Sequence, residues 1–282
     1  MKNVALAGIM LLILASSLHA SQSIITETDG SACMGDDKSR KDTEQLAHKE
    51  ATRRAAEYAA TYVKSETVVK DSALESDLIS AYANAKVSVL QELEKAWYKD
   101  QSSGDCYKVK LKVEVVPDQR AIAKVAEKFV VDDPTAPLNI KVWTDKKEYS
   151  KGQQIKVYLK ANRPFYGRVV YKDADGTQVQ LLPNPYRTDN YFNGGVVYEL
   201  PGNGDRYDLE VTPPFGKEFV TVYASTAQLG DIETTASGGV YEIKTKPQDV
   251  ATGTRGVKLT AKGSTQATAE FAEAKAEVTT DK

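Results

Sequence analysis

The sequence predicts an α+β amino-terminal domain, with an Ala-rich helix packed on an antiparallel sheet, followed by an all-β sandwich-like domain. Three observations carry this. Between residues 42 and 64 an alanine recurs every fourth position, residues 104–116 alternate polar and apolar without a fault, and all ten prolines lie at or after Pro117. The first two periods belong to a helix and to a half-buried strand. The proline shift marks a change of architecture.

Residues 1–20, MKNVALAGIMLLILASSLHA, have a lysine near the start, an apolar run from Val4 to Ala15, and a small residue at Ala20. That is the layout of a secretory signal peptide with a cleavage position at Ala20; the alternative is an uncleaved signal that anchors the chain, against which the apolar run is shorter than the roughly 20 residues of a membrane span. Cys33 lies too far beyond the run to be a lipid anchor, and no second apolar run follows. The expectation is a periplasmic or secreted protein with no transmembrane segment once the signal is removed. Without Lys2 and His19 the chain has 36 basic and 39 acidic residues. That balance gives no electrostatic reason to expect nucleic acid as a partner.

Cys33 and Cys106 remain, in a compartment that permits a disulfide. The alternative is two unpaired thiols. The amino-terminal domain is expected over residues 33–130. In DTEQLAHKEATRRAAEYAATYVK, residues 42–64, Ala47, Ala51, Ala55, Ala59 and Val63 form one stripe, and Glu50, Arg53, Arg54 and Glu57 fall largely elsewhere;. In GDCYKVKLKVEVV, residues 104–116, Tyr107, Val109, Leu111, Val113 and Val115 point one way, and Cys106, Lys108, Lys110, Lys112 and Glu114 the other;.

Residues 86–98 fit a helical stripe as well, but strand pairing favours a strand. Tyr98 then faces Cys106, Glu94 faces Lys110, Glu92 faces Lys112, and Leu93 meets Leu111 on the other face. Short helices are expected near 75–84 and 118–128. The three lysines are explained by this charge pairing before any anionic ligand is invoked.

VVDDPTAPLN, residues 130–139, reads as a linker to the β-sandwich-like domain over 138–245. Its candidate strands are 139–143, 154–161, 167–172, 177–182, 196–200, 207–212 and 219–225, with DADG at 173–176 as a hairpin turn. Residues 246–282, rich in Ala, Thr, Lys and Glu, are expected to be a low-complexity, partly mobile tail holding one helix or an edge strand.

His48 is the sole histidine after residue 20, which excludes two-histidine metal sites and leaves any nucleophile a single imidazole partner. There is no phosphate loop, no GxGxxG and no CxxC. The expectation is therefore no metal, no cofactor and no enzymatic activity. The alternative is a cell-wall or polysaccharide-acting enzyme using carboxylates that the sequence does not mark.

In QLLPNPYRTDNYFNGGVVYELPG, residues 180–202, the prolines and glycines are punctuation, but no turn requires Tyr186, Arg187, Tyr191 and Phe192. Exposed together they would bind protein or sugar by stacking and through the guanidinium fork. They are the candidate binding residues.

LLPNP, GGVVYELPG and LEVTPPFGKEFVTVYAS, with residues 148–176 before them, resemble the bacterial envelope domain grouped as DUF family 4384 over roughly residues 138–230. In that resemblance Pro183, Asn184, Pro213, Pro214, Phe215 and Gly216 match the pattern as structural turn residues. The amino-terminal half, with SDLISAYANAKVSVLQEL and CYKVKLKVEVVPD, resembles the α+β domains of flagellar H-ring proteins and related envelope lipoproteins. The two resemblances imply an exported, non-catalytic module of the cell envelope whose partner is an envelope protein or cell-wall glycan.

Overall fold

The computed structural model describes residues 21–66, 72–122, 132–237, 239–256 and 268–282. The expected signal at 1–20, residues 123–128 of the second short helix and residues 257–267 of the expected tail lie outside them. Residues 119–122 are helical.

The chain begins with strand β1 (Ser21–Cys33), which was not among the expected strands, and continues into helix α1 (Arg40–Glu66). Ser39 opens the helix with a reciprocal cap. Its backbone N–H donates to the Asp42 carboxylate at 3.2 Å, and its hydroxyl accepts from the Asp42 N–H at 3.1 Å;. Ala47, Ala51, Ala55 and Ala59 are fully buried. They allow the helix to sit close on β1 at Gly30, where a Cβ would lie 2.1 Å from the Ala47 carbonyl oxygen. Thr28 donates to the Ala51 carbonyl at 3.1 Å across the same contact. Arg53 and Arg54 pair with Glu50 on the outer side, at 2.8 and 2.7 Å.

After α2 (Ser72–Ala83) the strands β2 (Lys86–Asp100) and β3 (Gly104–Val116) form an antiparallel pair. Tyr98 faces Cys106 and Glu94 faces Lys110, but Glu92 faces Leu111 and Gln91 faces Lys112. The expected pairs Glu92–Lys112 and Leu93–Leu111 are not made, because two bulges leave Leu93 and Leu90 unmatched in the ladder;. Glu92 instead meets Lys95 at 2.7 Å and His48 at 3.3 Å, and Leu90 packs against the cluster containing Phe271. Cys33 and Cys106 face each other in the β1–β3 register and are joined by a disulfide.

The remaining strands are β4 (Ile140–Thr144), β5 (Glu148–Ser150), β6 (Val157–Ala161), β7 (Phe165–Lys172), β8 (Gln178–Leu182), β9 (Tyr191–Phe192), β10 (Tyr198–Leu200), β11 (Lys217–Ser225), β12 (Thr234–Ser237), β13 (Val240–Ile243) and β14 (Thr268–Asp281), with helix α3 (Pro247–Arg255) before the last. The DADG segment turns β7 into β8, with Asp173 N–H to the Thr177 carbonyl at 3.0 Å and Gly176 at φ +91°. Residues 207–212, expected as a strand, form only an isolated bridge, Gln154 to Glu210. The prolines at 213 and 214 that follow have no N–H to extend a ladder.

The strands do not divide into two sheets of similar size. Among the described residues eleven belong to one sheet, ordered β12-β13-β8-β7-β11-β14-β1-β3-β2 with β5 beside β14 and β9 beside β7, and three form a small sheet, β10-β6-β4. All pairings are antiparallel except β5 with β14. The large sheet runs through both halves of the chain because β14 lies between β11 and β1. Among the described residues of 246–282, Pro247–Arg255 form α3 and Thr268–Asp281 form a central strand in place of the expected edge strand.

Side-chain alternation assigns the two faces of the large sheet. Ile24 and Glu270 are partners, so Ile24, Glu270 and Ala272 share one face, and Ile25, Ala269 and Phe271 the other;. The first face carries α1 over the amino-terminal strands and the small sheet over the carboxy-terminal ones. The second carries α3, whose Val250 joins Phe271 and Ile25.

Candidate functional site

The loop after β8 is built around a buried asparagine. Asn184 is fully buried, and its side-chain amide donates to the Leu181 carbonyl at 2.7 Å. Its Oδ1 accepts from the backbone N–H groups of Tyr186 and Arg187, each at 2.8 Å. One side chain thus satisfies three backbone groups where the strand has ended. The Leu182–Pro183 peptide before it is cis, as are Leu200–Pro201 and Pro213–Pro214.

The structure divides the four candidate binding residues into two kinds. Phe192 is 1% exposed, stacks on Phe165 at 5.0 Å and meets Tyr198 edge-on at 4.8 Å. It belongs to the core between the two sheets and not to a contact surface. Arg187 lies 3.2 Å from the Asp205 carboxylate and over the Phe192 ring at 5.5 Å, and Asp205 also accepts from the Gly202 N–H at 2.7 Å. Its guanidinium ties two loops together. Tyr186 and Tyr191 are 56% and 47% exposed. Tyr191 rests edge-on against Tyr166 at 5.1 Å, its cross-strand partner in β7. Tyr186 lies against Tyr207 at 6.3 Å. Gly239, at φ +91°, faces Tyr186 so closely that a Cβ there would come within 2.6 Å of the ring. Burial pushes the Tyr207 hydroxyl up to about 12, so it stays protonated;.

The second turn, Pro213, Pro214, Phe215 and Gly216, lies elsewhere. Phe215 packs against the core, Gly216 donates to the Thr280 hydroxyl at 3.0 Å and accepts from its N–H at 2.9 Å, and Ala174 is its neighbour. Ala174 sits at the β7–β8 turn, whereas Asn184 follows the other end of β8. The two turns are therefore at opposite ends of the hairpin and do not form one surface.

Glu270 is 5% exposed, and burial raises its carboxyl above the ordinary carboxylate range. It accepts from the Leu138 N–H and pairs with Arg163, which also donates to the carbonyls of Pro134 at 2.8 Å and Glu66 at 3.1 Å. These contacts close a junction between α1, the linker and β14. Arg255 makes the matching contact on the opposite face, 2.8 Å from both Glu114 and Glu273. His48 has only Glu92 near it among the ionised partners described. Lys110 pairs with Glu27 at 2.9 Å, and it lines, with Lys108, Glu94 and Tyr98, a shallow cleft of about 270 Å³.

Sequence reasoning passed over Trp143 and Tyr158, which pack against each other on the outer face of the small sheet. The signal was present, since outward alternation in β6 places Tyr158 there. Among the described residues no group of three or more His, Cys, Asp or Glu could hold a metal ion. No described helix is long and apolar enough to cross a membrane.

Residues 148–228 match the family model described as Domain of unknown function (DUF4384). The matched segment runs from β5 to just past β11 and contains both proline turns. A search of the curated proteins finds no match. Among solved structures, a crystal structure of a DUF4785 family protein from Legionella pneumophila subsp. pneumophila str. Philadelphia 1 is similar at 7% identity, covering 94% of this chain and 75% of that one, with a TM-score of 0.25. At that score the likeness carries no argument about this chain.

Proposed function

We propose that this chain, with its DUF4384 domain at residues 148–228, is an exported, non-catalytic envelope protein that acts as a binding or assembly module in the periplasm or at the cell surface. One observation carries the reading: Tyr186 and Tyr191 are about half exposed, Tyr186 on a loop whose backbone is fixed by Asn184 and by the Arg187–Asp205 pair, and Tyr191 in β9 against Tyr166 of β7. Aromatic side chains held in place lose little freedom on binding, and such residues dominate the energetics of contact surfaces. The disulfide supports export, because it persists in oxidising compartments;. The two sheets facing each other across a shared core support a sandwich-like carboxy-terminal domain. The partner is an envelope protein or cell-wall glycan. The resemblance of the amino-terminal half to flagellar H-ring and lipoprotein domains belongs to the same proposal.

A photo-crosslinking residue placed at 186 or 191 in intact cells should give a discrete adduct, and the same residue at 98 should not. Tyr186→Ala with Tyr191→Ala should weaken capture by about tenfold or more, the scale of one lost hot-spot residue. Incubation with purified peptidoglycan separates this reading from the enzyme: release of soluble fragments would replace the binder by a hydrolase.

A further inference from the structure

β6 alternates strictly. Val157, Leu159 and Ala161 are buried beneath the small sheet, so Tyr158 and Lys160 point outward. Trp143 of β4 is the cross-strand partner of Tyr158 and shares its face. The ring centroids are 5.7 Å apart and the planes within 17° of parallel, and Trp143 is 39% exposed. Glu199 of β10 flanks Tyr158 on the other side. It pairs with Lys156 at 3.1 Å, and Lys160 pairs with Asp132 at 2.7 Å. Lys141, exposed on β4, stands opposite Lys160.

We infer that this face is a saccharide-binding platform, with a sugar ring lying against the open side of Trp143, which Tyr158 holds in place by stacking, and its hydroxyls meeting the lysine and carboxylate heads around it. The inference deepens the proposed function by naming the glycan and giving it a place separate from the Tyr186–Tyr191 loop, and it rests on that reading for the class of ligand. A pyranose has an apolar face of C–H bonds and a rim of hydroxyls. The platform has the complementary form, an apolar ring surface bordered by groups that both donate and accept.

Other occupants fit less well. A protein partner would bury about 800 Å² on each side, and here that area would take in the ion-paired heads of Lys156, Glu199, Lys160 and Asp132, which cost free energy to desolvate;. A nucleic acid strand would take several cations for its phosphates, but Lys156 and Lys160 already hold acids, which leaves Lys141 for that role among the lysines of this face.

The test titrates the mature chain, residues 21–282, with the β-1,4-linked tetramer of N-acetylglucosamine, read by calorimetry and by tryptophan fluorescence in a Trp97→Phe background. Saturable binding is expected, weaker by about tenfold or more in Trp143→Ala and partly restored in Trp143→Phe, for one lost stacking contact in the range that tenfold represents. No binding by the wild type, or unchanged binding by a folded Trp143→Ala, overturns the platform. Should Trp143→Ala fail to fold, amide shifts of the wild-type chain decide: changes centred on β4 and β6 support the site, and changes centred elsewhere overturn it. Tighter binding of an oligothymidylate than of the tetrasaccharide also overturns it. Failure here with crosslinking from 186 or 191 intact removes the platform and leaves the binding module. Sugar binding without crosslinking does the reverse.

Discussion

At the scale of single residues, the sequence marks positions whose surroundings only the fold supplies. Gly30 sits in a strand where glycine is a weak choice, and its reason is the backbone of α1, with a Cβ at 2.1 Å from Ala47 O and 2.6 Å from Ala51 N. Gly30→Ala should lower stability by about 3 kcal/mol, measured as a shift in denaturant midpoint, since neither backbone can yield without moving the helix. Asp100 is different, because its contacts are local. It accepts from the N–H groups of Ser102 and Ser103 at 2.9 and 2.8 Å, and these bonds, with that from the Ser102 hydroxyl, hold its carboxyl down to about 2 from an ordinary 3.8. A depressed acid stabilises the fold above its unfolded value, and the contribution is lost as pH falls through the folded one. Asp100→Asn should therefore melt below the wild type above about pH 4, with the gap closing near pH 2. Phe192, expected on an exposed patch, is buried, and Arg187 beside it has an ion-pair partner that the sequence did not announce. No turn requires them, but Asp205 and Phe165 do.

At the scale of elements, α1 and β3 are legible because each shows an unbroken period. β14 is not. AEFAEAKAEV is mostly alanine and charge, types depleted in strands on average, so its composition reads as a tail. In the fold its small residues are an asset. Ala269 and Phe271 are buried on one face and Ala272 and Ala274 on the other, allowing α3 and the small sheet to approach a single strand from both sides. Glu270 on that strand is tied to Arg163 and Leu138. Removing it with Glu270→Ala leaves the Arg163 charge largely buried without its counterion and should cost about 3–5 kcal/mol of folding stability by urea denaturation. The β2 register failed for a related reason. A bulge is a decision of the sheet, and charge complementarity along one strand does not announce it.

At the scale of the whole molecule, the first described strand and the last are neighbours, Ser21 opposite Glu273 and Thr26 opposite Thr268. A sheet that crosses from one half to the other through β1 and β14 makes independent unfolding of the halves costly. Calorimetry should show one cooperative transition whose measured and van't Hoff enthalpies agree. The disulfide spans 73 residues. Replacing both cysteines by serine should lower stability by about 4 kcal/mol on the chain-entropy account, seen as an earlier urea midpoint with the single transition retained.

The sequence by itself determined the alanine stripe of α1, the face alternation of β3 and the DADG turn, because each depends on residues close in the chain; for Cys33 and Cys106 it left a bridge or two free thiols, and the β1–β3 register that places them opposite each other decided for the bridge. Tertiary structure alone decided that β14 is central, that Phe192 is core, that the two proline turns lie at opposite ends of a hairpin, and that Trp143 meets Tyr158 in the open. These depend on which distant strands become neighbours, as with Arg163 and Glu270 at 107 residues' separation. Local periodicity fixes which side of a strand is apolar, but not which element will cover it.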